Sequence, residues 1–278
     1  MSVVDIFDSN NYSHDPRKQF MNWSLMTYGA YDFVADSKGY TKGVALELYY
    51  DDWAFRLGRF MAPTYSNGST LDGAMLEHYG DQVEIQHNHT MNGQTGVIRA
   101  LGFINRENMA SFKDAIDYGL QTSSTPNINQ VRRNQNKAGF GVSLEQALSN
   151  DFGIFARYSI SDGKMEEYSY TEIDNSISAG IQALGTSWNR SNDTFGIGFS
   201  NNGLSSSNKQ YLQMGGNTVF LGDGNLNYHD ERVLEAYYSI GFINHFWATL
   251  DAQKIWNPGY NTDRGPADFI GFRLHFEI

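Results

Sequence analysis

The chain has 278 residues with 20 basic and 31 acidic side chains, a formal charge of −11, no cysteine and 28 glycines. A disulfide framework and any Cys-ligated zinc or iron–sulfur centre are excluded, and with no basic cluster longer than Arg132-Arg133 the chain lacks the means to neutralise a nucleic-acid backbone. Aromatic residues reach 14 % while charged residues stop at 18 %, below the roughly 25 % of an average globular domain. That composition favours strands, and the expectation is a single domain over residues 1–278.

Met1 to Asp5 carries neither the basic nor the apolar region of a secretory signal. Further along, no apolar run is long enough for a membrane-crossing helix. The mean hydropathy of −0.48 does not decide against a membrane, because a transmembrane β-barrel confines its lipid face to alternate residues. In chain order, period-2 alternation predicts a short strand at 3–7 and further strands at 44–50, 53–60, 81–90, 97–105, 138–145, 154–161, 176–183, 194–199, 234–240, 247–255 and 270–278, about twelve in all. Ala138, Phe140, Val142 and Leu144 alternate with Gly139, Gly141, Ser143 and Glu145, and Ile270, Phe272, Leu274, Phe276 and Ile278 with Gly271, Arg273, His275 and Glu277.

The connections alternate between short (51–52, 91–96, 149–153, 189–193, 242–246) and long (8–39, 61–80, 106–136, 162–175, 202–230, 256–266). A sandwich has no reason to keep that order. An up-and-down antiparallel transmembrane β-barrel does, with tight turns in the periplasm and long loops outside, and the parity puts the C-terminus on the periplasmic side. Glu47, Arg56, Glu84, Glu145, Arg157, Glu235, Asp251 and Arg273 all fall opposite the apolar parity of their strands, which spares the roughly 2–4 kcal/mol that a Lys or Arg facing mid-membrane lipid would cost. Gly139, Gly141, Ser178, Gly180, Gly196 and Gly198 would leave room for a water-filled lumen. Trp53, Tyr158, Trp188, Tyr238, Trp247 and Trp256 lie near strand ends, as girdle residues or as ordinary strand packing.

Three stretches carry a more specific signal. Ser2-Val3-Val4-Asp5-Ile6-Phe7-Asp8, followed by His14-Asp15-Pro16-Arg17, Asn22-Trp23, Gly29-Ala30-Tyr31-Asp32 and Gly39-Tyr40-Thr41-Lys42-Gly43, resembles the carbohydrate-selective porin family (OprB-like) of Gram-negative outer membranes. So do Trp53-Ala54-Phe55-Arg56-Leu57-Gly58-Arg59 and Asn257-Pro258-Gly259-Tyr260-Asn261-Thr262-Asp263-Arg264-Gly265-Pro266. The resemblance implies an outer-membrane barrel, in contact with lipid and lipopolysaccharide, through which carbohydrates diffuse passively and without a cofactor. Family members carry a signal and further strands ahead of the segment that begins here, and the last strand of outer-membrane proteins usually ends in Phe rather than the Ile278 found here. The expectation is therefore an N-terminally truncated larger barrel. Its closure would come from a smaller ring, from a homo-oligomer or from strands of another chain.

A sugar pore needs donors, acceptors and flat aromatic faces at its narrow place. Glu47, Arg56, Arg59, Glu84 and Arg273 are the lumen candidates, with cross-strand pairing that stiffens the wall as the plainer role. The apolar stretch 8–39 either folds inward as a constriction carrying Arg17 and Trp23, or hides further strand residues. Asn257, Pro258, Asp263 and Arg264 read as a structural turn. His87 and His89 share a strand face without a third ligand fixed by spacing, and Asp223-Gly224-Asn225 and Asp230-Glu231 lack calcium-loop spacing, so no metal site is assigned. Catalytic signatures such as Gly-x-Ser-x-Gly, His-Glu-x-x-His or a phosphate-binding glycine loop are lacking, and no enzyme is expected. The competing readings are a porin fragment that does not conduct and a soluble β-rich glycan-binding module.

Overall fold

The computed structural model describes residues 1–169, 172–222, 224–243 and 245–277, residue 243 by its backbone alone. Asp223 and Ile278 lie outside the described residues. The described chain forms one antiparallel sheet of eleven strands in sequence order. They are β1 (Gly43–Tyr50), β2 (Trp53–Met61), β3 (Tyr79–Met91), β4 (Gln94–Met109), β5 (Arg133–Ala147) and β6 (Phe152–Ser161). The series continues with β7 (Asn175–Leu184), β8 (Thr194–Gly203), β9 (Glu231–Ile243), β10 (Phe246–Trp256) and β11 (Ala267–Phe276). Each strand pairs with its sequence neighbours, and β1 and β11 are the two edges.

Turn chemistry sets the register at the tight end. Between β3 and β4, Asn92 and Gly93 both take positive φ (54° and 76°), the two-residue turn whose twist matches the flanking strands, and Met91 then faces Gln94. The sheet has two unlike faces. On the outer face Leu46, Leu57, Ile85, Ile104, Phe140, Ile181, Ile197 and Phe272 are all exposed, an apolar area far larger than the few hundred Å² a soluble monomer shows in one patch. On the inner face Gln82, Glu84, Arg99, Glu145, Arg157, Ser178, Ser200, Glu235 and Asp251 are buried.

Two expectations are corrected here. The strand expected at 3–7 is a single 3-10 turn at Val3–Asp5, so the described sheet has eleven strands rather than twelve. Val3 and Phe7 instead bury completely in a cluster with Tyr28, Tyr31, Phe33 and Phe60, so both apolar side chains point into one core rather than along a strand face. The long connections, expected as loops, contain helices. These are α2 (Phe112–Thr122), with Ser111 accepting from the amide of Asp114, and α3 (Ser206–Gln213), with Ser205 accepting from that of Asn208. Phe112 and Tyr211 bring them together at 5.3 Å between ring centroids, over a small core with Ile116, Leu212 and Tyr260. The one-turn helix α1 (Trp23–Met26) belongs to the N-terminal segment.

Candidate functional site

Residues 1–42 do not join the sheet; they run across its polar face, held by side chains from nearly every strand. The amide of Asp8 donates to Glu84 on β3 at 2.8 Å, and that of Asn11 to Glu145 on β5 at 2.6 Å. From β6, Arg157 donates to the Asp8 carboxylate at 3.0 Å and to the carbonyls of Leu25 and Ser13 at 2.8 and 2.7 Å. Ser24 meets Ser200 on β8 at 2.6 Å, and Glu235 on β9 accepts the amides of Met21 and Asn22. From β11, Arg273 donates to the carbonyls of Pro16 and Gln19, and Lys18 pairs with Glu277 just beyond it. The carboxylates and guanidinium groups of the inner face thus satisfy backbone polar groups of a segment that makes no sheet ladder.

The electrostatics follow from that burial. Asp8 is fully buried, and desolvation pushes its carboxyl up to about 7 even though Arg157 and the amide of Tyr28 act to lower it. Near the long-loop rim, Lys137 on β5 is fully buried between Asp32 and Glu167. Burial pushes the Glu167 carboxyl well up as well. Asp32 also accepts the amides of Tyr168 and Ser169, each at 2.9 Å, which ties the segment to the β6–β7 connection.

A cleft of about 460 Å³ lies beside the segment, bordered by Asp5, Arg17, Trp23, Phe33, Lys38 and Tyr40. Trp23 stacks on Phe33 with ring centroids 5.7 Å apart. Arg17 is held by Asp15 at 2.9 Å and leaves most of its side chain exposed. The structure therefore brings Arg17 and Trp23 to one cleft, with a flat aromatic face and charges of both signs.

The lumen candidates divide. Glu47, Arg56 and Glu84 form a ladder on the inner face, with Arg56 donating to Glu47 at 3.0 Å and to Glu84 at 2.7 Å. Only Glu47 keeps substantial exposure. Glu84 is fully buried, one oxygen taken by Arg56 and the other by the Asp8 amide, so it anchors the segment and has no oxygen to offer a solute. Arg273 is likewise engaged beneath residues 16–19. Arg59 is a correction: three residues from Arg56, it projects from the opposite, outer face, pairs with Asp81 at 2.7 Å and lies over the ring of Tyr79.

The turn after β10 is tied to neighbouring connections. Asn257, at φ 52°, donates to the carbonyl of Asp230, and Asp263 accepts from Asn227 at 3.2 Å. Pro258 opens its 3-10 turn, and Arg264 lies against Gly259. His87 and His89 stack at 6.3 Å, and among the described residues no group of three or more ligating side chains is placed to hold a metal. Sequence reasoning missed Asp8, Asp32, Lys137 and the anchoring role of Arg157, although the parity of Arg157 already placed it on the inner face.

A solved structure shares this fold. The structure of Pseudomonas putida OprB at high pH superposes with a TM-score of 0.67 at 18 % identity, over 84 % of this chain and 58 % of that one; the likeness is one of fold, and the chain spans less than two thirds of that relative. Pseudomonas aeruginosa OccK1 (OpdK) aligns with a TM-score of 0.45 at 9 % identity, over 84 % of this chain and 67 % of that one. No curated protein sequence matches. The model of the carbohydrate-selective porin, OprB family, matches residues 2–278, and the chain belongs to that family, one of transport proteins rather than enzymes.

Proposed function

We propose that the chain forms the wall and constriction of an outer-membrane pore through which carbohydrates and other small solutes diffuse passively. The observation that carries this reading is the N-terminal segment fastened across the polar face of a sheet whose opposite face is apolar. An apolar exterior fits lipid, and a polar interior narrowed by a folded-in segment fits a selective aqueous path. The tight turns and the end of β11 then lie on the periplasmic side, with α2 and α3 outside. In the cleft, Trp23 offers a face to a sugar ring and Arg17 a donor fork to its hydroxyls, and outside the cleft Glu47 offers an acceptor on the inner face. Family membership supports carbohydrate as the solute class.

The two unpaired edges favour a second reading in one respect: the wall conducts only when further strands complete the ring. The exposed apolar face counts against the soluble glycan-binding module.

Conductance of the purified chain in a planar bilayer, titrated with glucose and with maltose-length oligomers, tests the first reading. Stable openings partly blocked by sugar are expected, with the block weakened several-fold in Trp23→Ala and in Arg17→Ala. Block unchanged in both variants would remove the cleft from the solute path. No openings from membrane-inserted protein would favour the non-conducting wall.

A further inference from the structure

On the outer face, strands β8, β9 and β10 end toward the long loops in one rung: Asn201 faces Arg232, and Arg232 faces Trp256. The next rungs toward the tight turns are Phe199, Leu234 and Lys254, then Ile197, Ala236 and Ala252, then Phe195, Tyr238 and Leu250. Arg232 therefore stands at the upper margin of the apolar band. Around it opens a cavity of about 620 Å³ lined by Phe199, Asn201, His229, Arg232, Trp256 and Asn257.

The charges there are arranged unusually. Arg59 and Lys254, also facing outward near this rim, each pair with a carboxylate, Asp81 at 2.7 Å and Asp268 at 2.9 Å. Arg232 is exposed and donates only through Nε, to Asn201 at 3.3 Å; its two Nη groups have no carboxylate partner among the described residues. Asp230, beside it in sequence, is engaged by the hydroxyl of Tyr228 at 2.5 Å and by Asn201 at 2.9 Å. A second rung repeats the pattern on β3, β4 and β5, where Tyr79 faces Arg106 and Arg106 faces Asn136, and Arg106 also has no carboxylate partner among the described residues.

We propose that the Arg232 cavity binds a phosphate of an outer-leaflet lipid headgroup. A cation at the edge of the hydrocarbon is stabilised by an anion at the same depth, and the guanidinium fork matches phosphate oxygens two at a time. Trp256 sits where interfacial aromatics sit, and His229 and Asn257 complete a polar upper wall above the apolar Phe199. The occupant is anionic at its head and apolar below, which is the chemistry of a phosphorylated lipid lying against the strands. With a net charge of −11, the chain needs such local cationic points to adjoin an anionic leaflet.

This inference rests on the membrane-spanning reading, and its test is separable from that of the pore. Native mass spectrometry of the full chain in detergent, with diphosphorylated lipid A, with dephosphorylated lipid A and with inorganic phosphate, measures retention of each. Retention of the diphosphorylated lipid is expected to fall about tenfold in Arg232→Gln, the effect of losing one charge-assisted contact, and to survive largely in Arg232→Lys. If R232Q folds poorly, Arg232→Leu, apolar at an apolar margin, gives the same readout. The dephosphorylated lipid should be held no better by the parent chain than by R232Q, and millimolar inorganic phosphate should not compete. Equal retention by parent and R232Q, or equal retention of both lipids, would overturn the site; competition by inorganic phosphate would make it a free-anion site and overturn the lipid assignment. Sugar block should be unchanged in R232Q, since Arg232 lies outside the wall. Absent conductance with phosphate-dependent lipid retention intact would sink the pore alone.

Discussion

Asp8 holds three contacts at a left-handed turn: its amide on Glu84, and its carboxylate under Arg157 and the amide of Tyr28, the last at 2.7 Å. Its carboxyl is raised from 3.8 to about 7, with burial the largest cause. The docked segment therefore retains a proton that a released segment gives up above pH 4. Docking is strongest below pH 4 and weakens as pH rises through 7, by at most about 4 kcal/mol. The protection of residues 1–42 against hydrogen exchange, taken relative to the intrinsic exchange rate at each pH, should accordingly be higher at pH 5 than at pH 8, and Asp8→Asn should flatten the difference. Protection that rises with pH would mean the ion pair with Arg157 outweighs desolvation. Arg157 itself is nearly inaccessible and fastens three points of the segment. At pH 8, where Asp8 is charged, Arg157→Ala should cost about 3–5 kcal/mol, as for a broken buried pair, and open residues 1–42 to protease. Arg59→Ala, whose pair with Asp81 is more than a third exposed on both sides, should cost about 1 kcal/mol or less.

At the scale of the element, the inner face is shaped to receive the segment. A Cβ at Gly141 would lie 2.7 Å from the ring of Tyr28, and one at Gly198 would lie 3.0 Å from Phe20. Of the small residues that read as open lumen, Gly141 and Gly198 are sockets for aromatic side chains of residues 1–42, while Gly139, Gly180 and Gly196 receive the rings of Phe103, Phe155 and Tyr237 from neighbouring strands. Gly141→Val should displace Tyr28, cost about 1–3 kcal/mol by overpacking and raise hydrogen exchange in the segment. Gly102→Ala, where the nearest atom is Val83 at 3.5 Å, should change little in thermal unfolding or exchange. This contrast shows what was legible. Strands and faces were readable because a period of two is local: one apolar parity marks β5, β8 and β11 without knowledge of any neighbour. The spacing of three between Arg56 and Arg59 carried the same information, and reading both charges as lumen set it aside. That residues 8–39 fold inward was one of two readings the sequence left open, but the contacts were not readable, because Phe20, Leu25, Tyr28 and Tyr31 fit holes made by residues more than seventy positions away, which leave no periodicity in the segment itself.

The molecule as a whole is governed by its two edges. With eleven strands in simple up-and-down order, β1 and β11 run in the same direction, both from the long-loop end toward the tight turns. Joining them directly would give a parallel pair in an otherwise antiparallel ring, whereas bacterial barrels of one chain close antiparallel with even strand numbers. An antiparallel closure therefore needs an odd number of further strands between β1 and β11, from whatever source. Left open in lipid, each unpaired edge group costs several kcal/mol, and the outer side chains of both edges are bare: Leu46 is 66 % and Ile270 89 % exposed. The absence of native cysteine makes the point testable without background. Leu46→Cys, combined in turn with Ile270→Cys, Phe272→Cys and Leu274→Cys, samples the registers that a direct β1–β11 pairing could take, and a disulfide requires Cα atoms about 4.4–6.8 Å apart. Under mild oxidation no intrachain disulfide should form in any of the three double variants. Efficient formation in one of them would show that this chain closes on itself through a parallel seam, and conduction by the chain alone would then follow from its own fold.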